Sequence, residues 1–245
     1  MIDRLKSQQE KLIINERHEA WGNLARKLAH EIKNPLTPIQ LTIDRLKNKY
    51  SNELKERDSE SFKDNLKIIN SQIKQIEKLV NEFSDFARMP KPIFRENNLV
   101  VLINENIKLL KELDNSIEII FNKNLDTILL ESDKEQISRV FLNLIKNSIE
   151  SINQKAQNNS NFNKKITIEL IQNDSHIKAI IEDNGIGFDE LKNNIKDIFN
   201  PYFTTKKNGT GLGLSIVNKI VNDHNGKIEF IPIKNGAKIE IIFLK

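Results

Sequence analysis

The chain has 245 residues, 38% of them hydrophobic and 29% charged, which is enough apolar material for one large or two small domains with buried cores. It has no cysteine, which excludes disulfides, zinc–thiolate centres and thiol nucleophiles, and its four histidines do not fall at metal-ligand spacing. The net charge of +4 comes from 38 basic and 34 acidic residues that are interspersed, a solvated surface rather than a nucleic-acid footprint, and no apolar run approaches the ~20 residues that span a bilayer.

Residues 1–89 read as two long helices. In the first, Trp21, Leu24, Leu28, Ile32 and Leu36 make one apolar stripe, continued by Ile39, Ile43 and Leu46. In the second, Phe62, Leu66, Ile69, Ile73, Ile76, Val80 and Phe83 alternate steps of four and three, the seam of coiled-coil packing. The polar run from Tyr50 to Ser61 suits a loop between them. A hairpin with so narrow a stripe buries it poorly alone. Two hairpins paired as a four-helix bundle bury it well, so a homodimer is expected.

Met89-Pro90-Lys91-Pro92 breaks the second helix, because prolines this close favour extended chain. Residues 90–97 are expected to be a linker and 98–245 a second domain. There the pattern predicts a helix over Leu99 to Leu113, strands near Ile117 to Phe121 and Ile128 to Leu130, and a helix from Asp133, its N-cap, to Ile152. Two neighbouring strands follow, Lys165 to Ile171 and Ile177 to Glu182, joined by a turn at Asn173 to Ser175. An irregular segment covers Phe188 to Asn208. A helix then runs from Leu212 to Asp223 and stops at Asn225-Gly226, before closing strands near Lys227 to Ile231 and Ala237 to Leu244. The expected fold is therefore an all-α helical hairpin followed by an α+β sandwich, with helices over one face of a mixed sheet.

Five stretches carry chemistry. The first is HEIKNP, with His30 about 200° around the helix from Leu28 and so directed outward. Asn34 is one turn on, and Glu31 is close enough to reach the ring. An imidazole attacks phosphorus through a neutral nitrogen, and a neighbouring carboxylate that holds the proton of the other nitrogen raises its basicity. Pro35 and Pro38 leave the carbonyls of Glu31 and Asn34 without helical partners and loosen the helix there. Read alone, the segment is equally an exposed histidine beside a kink.

In NLIKN, the amides of Asn143 and Asn147 share a helix face, and amide oxygens are suitable Mg²⁺ ligands when phosphates and waters supply the rest. In DNGIG, Asp183 ends a strand where a carboxylate can accept the adenine amino group, and Gly185 and Gly187 let the backbone turn sharply and approach the base. A plain Asx turn fits the same residues. In GTGLG, Gly209, Thr210, Gly211, Leu212 and Gly213 expose backbone N–H groups at a helix start, a phosphate cradle. Its spacing is neither the dinucleotide fingerprint nor a P-loop. Between the glycine clusters, Thr204, Thr205 and Lys206 in NPYFTTK can meet phosphate oxygens from a segment long enough to close as a lid.

Each stretch is common by itself, but their order and spacing together are not. HEIKNP, NLIKN, DNGIG, NPYFTTK and GTGLGL resemble, in turn, the phosphoacceptor, asparagine, first glycine, phenylalanine and second glycine boxes of the sensor histidine kinases of two-component signalling. The resemblance covers essentially the whole chain, and HEIKNPLTPIQL with TTKKNGTGLGLSIV is similar to the NtrY-like nitrogen-regulation kinases. It implies a Bergerat-type ATPase fold for the second domain, ATP and Mg²⁺ as cofactors, and His30 as the phosphorylated residue. Glu31 is implied as proton acceptor and Asn34 as the residue that orients water for phosphatase activity. Asn143, Lys146 and Asn147 are implied in nucleotide binding, with Asn143 and Asn147 also at the metal. The implied partner is the receiver domain of a response regulator, NtrX-like where the subfamily resemblance holds. The implied location is cytoplasmic, free or as the cytoplasmic core of a membrane-anchored protein. Water-hydrolysing relatives of this fold carry glutamate where this chain has Asn143. An amide cannot take a proton from water, so the site is built to hold ATP for another nucleophile.

Overall fold

A computed structural model of the chain describes residues 29, 31–50, 56–87, 89–157, 162–187, 198–201, 203–204, 206, 209–231 and 233–245. Two compact units, Met1–Pro90 and Lys91–Lys245, divide where the paired prolines end helical structure.

In the first unit, α1 (residues 31–50) and α2 (Glu56–Ala87) pack together. Leu36 and Ile43 of α1 form a buried cluster with Leu66 and Ile73 of α2, and Phe62 packs against it. Gln40 donates to Asn70 across the pair at 3.3 Å, and Tyr50 meets Phe62 edge to face. The residue numbers of the pairs rise on one helix as they fall on the other, so the helices are antiparallel.

Burial is narrower than the stripe predicts. The buried positions Ala29, Leu36 and Ile43, and Leu66, Ile73 and Val80, recur every seven residues. The intervening apolar positions do not go in: Ile32, Ile39 and Ile69 are 42%, 45% and 44% exposed. The heptad has two apolar positions per repeat, and a single hairpin covers one of them. Trp21, Leu24 and Leu28 lie outside the described residues.

The second unit has a five-stranded mixed sheet in the order β2-β4-β5-β7-β6, built from Glu118–Lys123 (β2), Lys165–Gln172 (β4), His176–Asp183 (β5), Gly226–Ile231 (β6) and Ala237–Leu244 (β7). β2 runs parallel to β4 and the other pairs are antiparallel. Alternation sends Ile166, Ile168 and Leu170, Ile177, Ala179 and Ile181, and Ile239, Ile241 and Phe243 inward. The opposite face is mixed, and its charged residues pair across strands, as Lys178 does with Glu240 at 3.0 Å and Lys238 with Glu182 at 3.4 Å. Three helices, α3 (Leu99–Leu113), α4 (Lys134–Ala156) and α5 (Gly213–Asp223), complete the core, with α4 central and touching both others.

The helix ends are fixed by local chemistry. Asp133 caps α4 by accepting from Gln136 N at 3.0 Å. Asn98 caps α3 through Val100 N at 3.1 Å. At the end of α5 the left-handed residue is Asn225, with φ +54°, rather than Gly226. Gly226 is kept small instead by Ile242 O and the Phe243 ring, 2.9 Å from where a Cβ would stand.

The stretch expected to be linker is partly strand. Arg95–Asn98 form β1, which pairs antiparallel with β3 (Leu129–Ser132). RENN has no apolar alternation, so nothing local marks it. Pairing and the donation from Asn97 Nδ2 to Ser132 O at 2.8 Å make it a strand. Just before it, Ile93 N donates to Asp133 Oδ2 at 2.9 Å, and the Phe94 ring lies 5.1 Å from the His224 imidazole. His224 Nε2 in turn accepts from Asp133 N at 3.0 Å, which joins the end of α5 to the start of α4.

Gly236, with φ +104°, supports Asp183 from the β6–β7 turn, and a Cβ there would overlap the Asp183 carbonyl oxygen. Gly236→Ala should therefore cost about 2 kcal/mol, from backbone strain and the displaced strand end. A lower urea midpoint at unchanged slope reports this loss, and an unaltered midpoint contradicts it.

Candidate functional site

α4 organises the site, because three sets of candidate residues meet on it. Asn143 Nδ2 donates to Arg139 O at 2.8 Å, which fixes the amide and turns Oδ1 toward α5. That oxygen is 3.3 Å from where a Cβ on Gly213 would stand. Asp133 at the start of α4 is joined to His224 at the end of α5, so the two helices lie antiparallel, with Gly213 close to Asn143.

α5 begins at Gly213, and the residue at its N-cap position, Leu212, offers no capping side chain. The first-turn N–H groups have no intrahelical acceptors and carry the positive end of the helix dipole. Gly211 adopts φ +69°, a left-handed turn that brings the chain into this start. Leu212 is buried, and Thr210 Oγ1 accepts from its N–H at 3.4 Å. Thr204 Oγ1 accepts from Lys206 N at 3.1 Å and packs so closely on Gly209 that a Cβ there would overlap it.

One turn along α4, Asn147 Oδ1 accepts from Lys206 Nζ at 3.3 Å, and Glu150 pairs with the same amine at 2.6 Å. Lys146 is exposed on α4. Both asparagine oxygens thus face outward, Asn143's toward the helix start and Asn147's toward a cation. Amide oxygens presented beside a phosphate cradle are a donor set that fits Mg²⁺. Among the described residues no cluster of three or more His, Asp or Glu side chains offers a rival metal site.

Asp183 closes β5 and is buried. Burial pushes its carboxyl pKa up, against the opposing pull of Gly185 N–H, the Ser148 hydroxyl, Ala237 N–H and the Lys155 charge. Its Oδ1 accepts from Gly185 N at 2.9 Å, so the Asx turn that the residues permit does form. A buried carboxylate that has a spare lone pair and a raised pKa marks a functional-site candidate. Gly187, with φ +72°, makes the expected sharp turn. Gly185 is required for a different reason: a Cβ there would overlap Ser151 Oγ and lie 2.8 Å from Ile152 N. Its small size lets the turn lie on α4.

Sequence reasoning misses the residues of α4 that grip this turn. Ser148 bonds Asp183, Ser151 Oγ accepts from Ile186 N at 3.0 Å, and Lys155 Nζ donates to the carbonyls of Asn184 and Gly185, both at 2.8 Å. Their spacing, three and then four residues, was the available signal, since it puts them on one helix face beyond Asn147.

In the first unit, Glu31 and Asn34 are both exposed on α1. His30 and Thr205 lie outside the described residues.

Residues 20–92 match the family described as "His Kinase A (phospho-acceptor) domain", and residues 132–245 match "Histidine kinase-, DNA gyrase B-, and HSP90-like ATPase". The catalytic domain of the histidine kinase ThkA is 33% identical, with a TM-score of 0.54, over 62% of this chain and 96% of that one. The chain belongs to the histidine kinases. The "Putative sensor histidine kinase NtrY-like" of Rickettsia felis is 39% identical over 99% of this chain. The chain spans 39% of that relative's length. The structure of ThkA in complex with the response regulator protein TrrA is 29% identical, with a TM-score of 0.65, over 99% of this chain and 67% of that one. No described helix of this histidine kinase is long and apolar enough to cross a membrane.

Proposed function

We propose that this histidine kinase transfers the γ-phosphoryl group of ATP to His30 and passes it to an aspartate on the receiver domain of a response regulator. The observation that carries this is the convergence on α4 of the buried Asp183 carboxylate, the outward amide oxygens of Asn143 and Asn147, and the uncapped start of α5 at Gly213.

Asp183 accepts the adenine amino group. The N–H groups at Gly213 and the GTG backbone hold the phosphate chain, and Thr204 and Thr205 add hydroxyls. Asn143 and Asn147 would hold Mg²⁺, which when bound neutralises phosphate charge. Lys206 already contacts Asn147 and Glu150 at this place and is free to exchange them for a phosphate oxygen. A neutral nitrogen of His30 attacks the γ-phosphorus, the bond to the β–γ bridging oxygen breaks, and ADP leaves. Glu31 takes up the proton of the other ring nitrogen, and catalysis is mainly positioning. Asn34 orients water for the opposing phosphatase activity, in which water attacks the phosphorus of the regulator's phosphoaspartate, the acyl phosphate bond breaks and inorganic phosphate leaves.

The half-covered heptad supports a homodimer. Ile32, Ile39, Ile69 and Ile76 stay exposed in one hairpin, and a second hairpin seated on them completes a four-helix bundle. Chain domains of 1–89 and 98–245 fit this division of labour. The similarity to the NtrY-like relative supports a regulator of NtrX type and a cytoplasmic core.

Incubation with γ-labelled ATP and Mg²⁺ tests the assignment. The expected product is a labelled protein band that is stable to base and lost in acid. Free phosphate released with no labelled protein would instead indicate an ATPase. Within the same assay, Glu31→Gln should slow labelling by about a hundredfold, the lower range for a lost proton acceptor. Glu31 is exposed, so the variant should keep its fold, and an unchanged thermal midpoint checks this. An unaltered rate removes Glu31 from the chemistry.

A further inference from the structure

We infer that Lys155 is a positioning residue for nucleobase choice: by clamping the Asn184–Gly185 turn onto α4 it aims the Asp183 carboxylate and favours adenine over 6-oxopurines. This rests on Asp183 being the base-reading residue.

Lys155 Nζ donates to the carbonyl oxygens of Asn184 and Gly185, both at 2.8 Å. Each bond is charge-assisted, and together they fix two consecutive peptide planes immediately after Asp183. The same amine lies over the Phe162 ring, 5.1 Å from its centroid. The turn has further ties. Ser151 Oγ holds Ile186 N, Asn184 Oδ1 accepts from Lys165 N at 3.0 Å, and Asn184 Nδ2 donates to Asn163 O at 2.6 Å. Of the side chains that hold it, Lys155 alone brings a charge.

The charge matters because of what the two classes of purine present. Adenine offers an amino donor at position 6, which needs an ionised carboxylate as acceptor. Hypoxanthine and guanine offer a carbonyl there, which an ionised carboxylate repels and a protonated one can bond. A positive charge behind the turn favours the ionised form of Asp183, against the burial that disfavours it. Without the amine, the carboxyl is less firmly aimed and takes up a proton more readily. Both effects weaken adenine binding, while the second partly compensates a 6-oxopurine.

The test uses the full chain with Mg-ATP and Mg-ITP, titrated calorimetrically into wild type, Lys155→Met and Lys155→Arg. Lys155→Met should weaken ATP binding about tenfold, the size of one lost charge-assisted bond, and leave ITP within about twofold. Arginine keeps the charge and both donors, so it should restore the wild-type ratio. Ser151→Ala loosens the same turn without emptying a core position and should lower the ATP-to-ITP ratio in the same direction by a smaller factor. An unchanged ratio in Lys155→Met, or in Ser151→Ala if the first variant does not fold, overturns the inference and leaves Lys155 a role in stability alone. A wild-type chain that binds ITP as well as ATP overturns the assignment of Asp183 itself, which is a separate result.

Discussion

The His30→Gln chain is expected to bind ATP as the wild type does and to take up no acid-labile phosphate. Glutamine has nearly the imidazole's length but offers no nitrogen that is both basic and nucleophilic at neutral pH. The candidate nucleotide site is assembled wholly from the second unit, by contacts among α4, α5, β5 and the turn at Gly236. Removing a side chain in the first unit therefore leaves those contacts intact. Labelling should fall below detection, a loss larger than any positioning effect produces, because the acceptor atom itself is gone. Chemical stability identifies the acceptor independently: a phosphoramidate survives base and breaks in acid, whereas a serine ester does the reverse. Retained acid-labile label in this variant would place the phosphate on His18, His176 or His224. Two of these have other partners. His224 is buried between Ile220 O and Asp133 N, and His176 bonds Asn173 and Ser175 at a strand start.

Asn143 sharpens the expectation. Its Nδ2 is committed to Arg139 O, so only the carbonyl oxygen remains, and that atom cannot remove a proton from water. An Asn143→Glu replacement supplies a carboxylate at the helix start, where water activation becomes feasible. On the proposed function, Asn143 thus serves to hold the triphosphate and not to spend it, and the second task belongs to His30.

Where local chemistry settles an element, the sequence is a sufficient guide. Asp133 announces the start of α4, and the alternating Ile-rich runs announce β4, β5 and β7. Where a distant partner decides, it is not. The polar residues of β1 become a strand only because Leu129–Ser132 lie alongside. Ile32 and Ile39 belong to the stripe in the sequence yet stay exposed, because no described residue of the hairpin covers them. The site divides in the same way. Asn143, Asn147, Asp183 and Gly213 stand out through motif spacing and do gather around α4. Ser148, Ser151 and Lys155 do not stand out, since serine and lysine on a helix read as solvated surface. The approach of the DNG turn converts them into its supports, and only Gly185's lack of a side chain allows that approach.

Asp183→Asn should weaken ATP binding by more than about a hundredfold and barely alter stability, a combination that a structural role alone does not give. The binding loss has two sources. A neutral amide is a weaker acceptor for the adenine amino group than a carboxylate, and its NH₂ faces the donors Gly185 N, Ala237 N and the Ser148 hydroxyl, which compete for the remaining oxygen. Stability moves differently. Burial raises the carboxyl's pKa in the folded state above its unfolded value, so the group favours the fold only below the unfolded pKa, and that contribution is lost as pH rises through the folded one. At neutral pH the ionised Asp183 is therefore a net cost to the fold, which the amide removes while it gives up one hydrogen bond. The same sign governs binding in the wild type: ATP affinity should fall as pH drops through the raised pKa of Asp183, because the protonated carboxyl loses its full strength as an acceptor. The asparagine variant has no proton to gain, so its residual affinity should be flat over that range. Calorimetric titration across the acid range, beside urea unfolding of both chains, measures the two effects separately. Equal pH profiles for the two proteins would show that Asp183 does not read the base, whatever its burial.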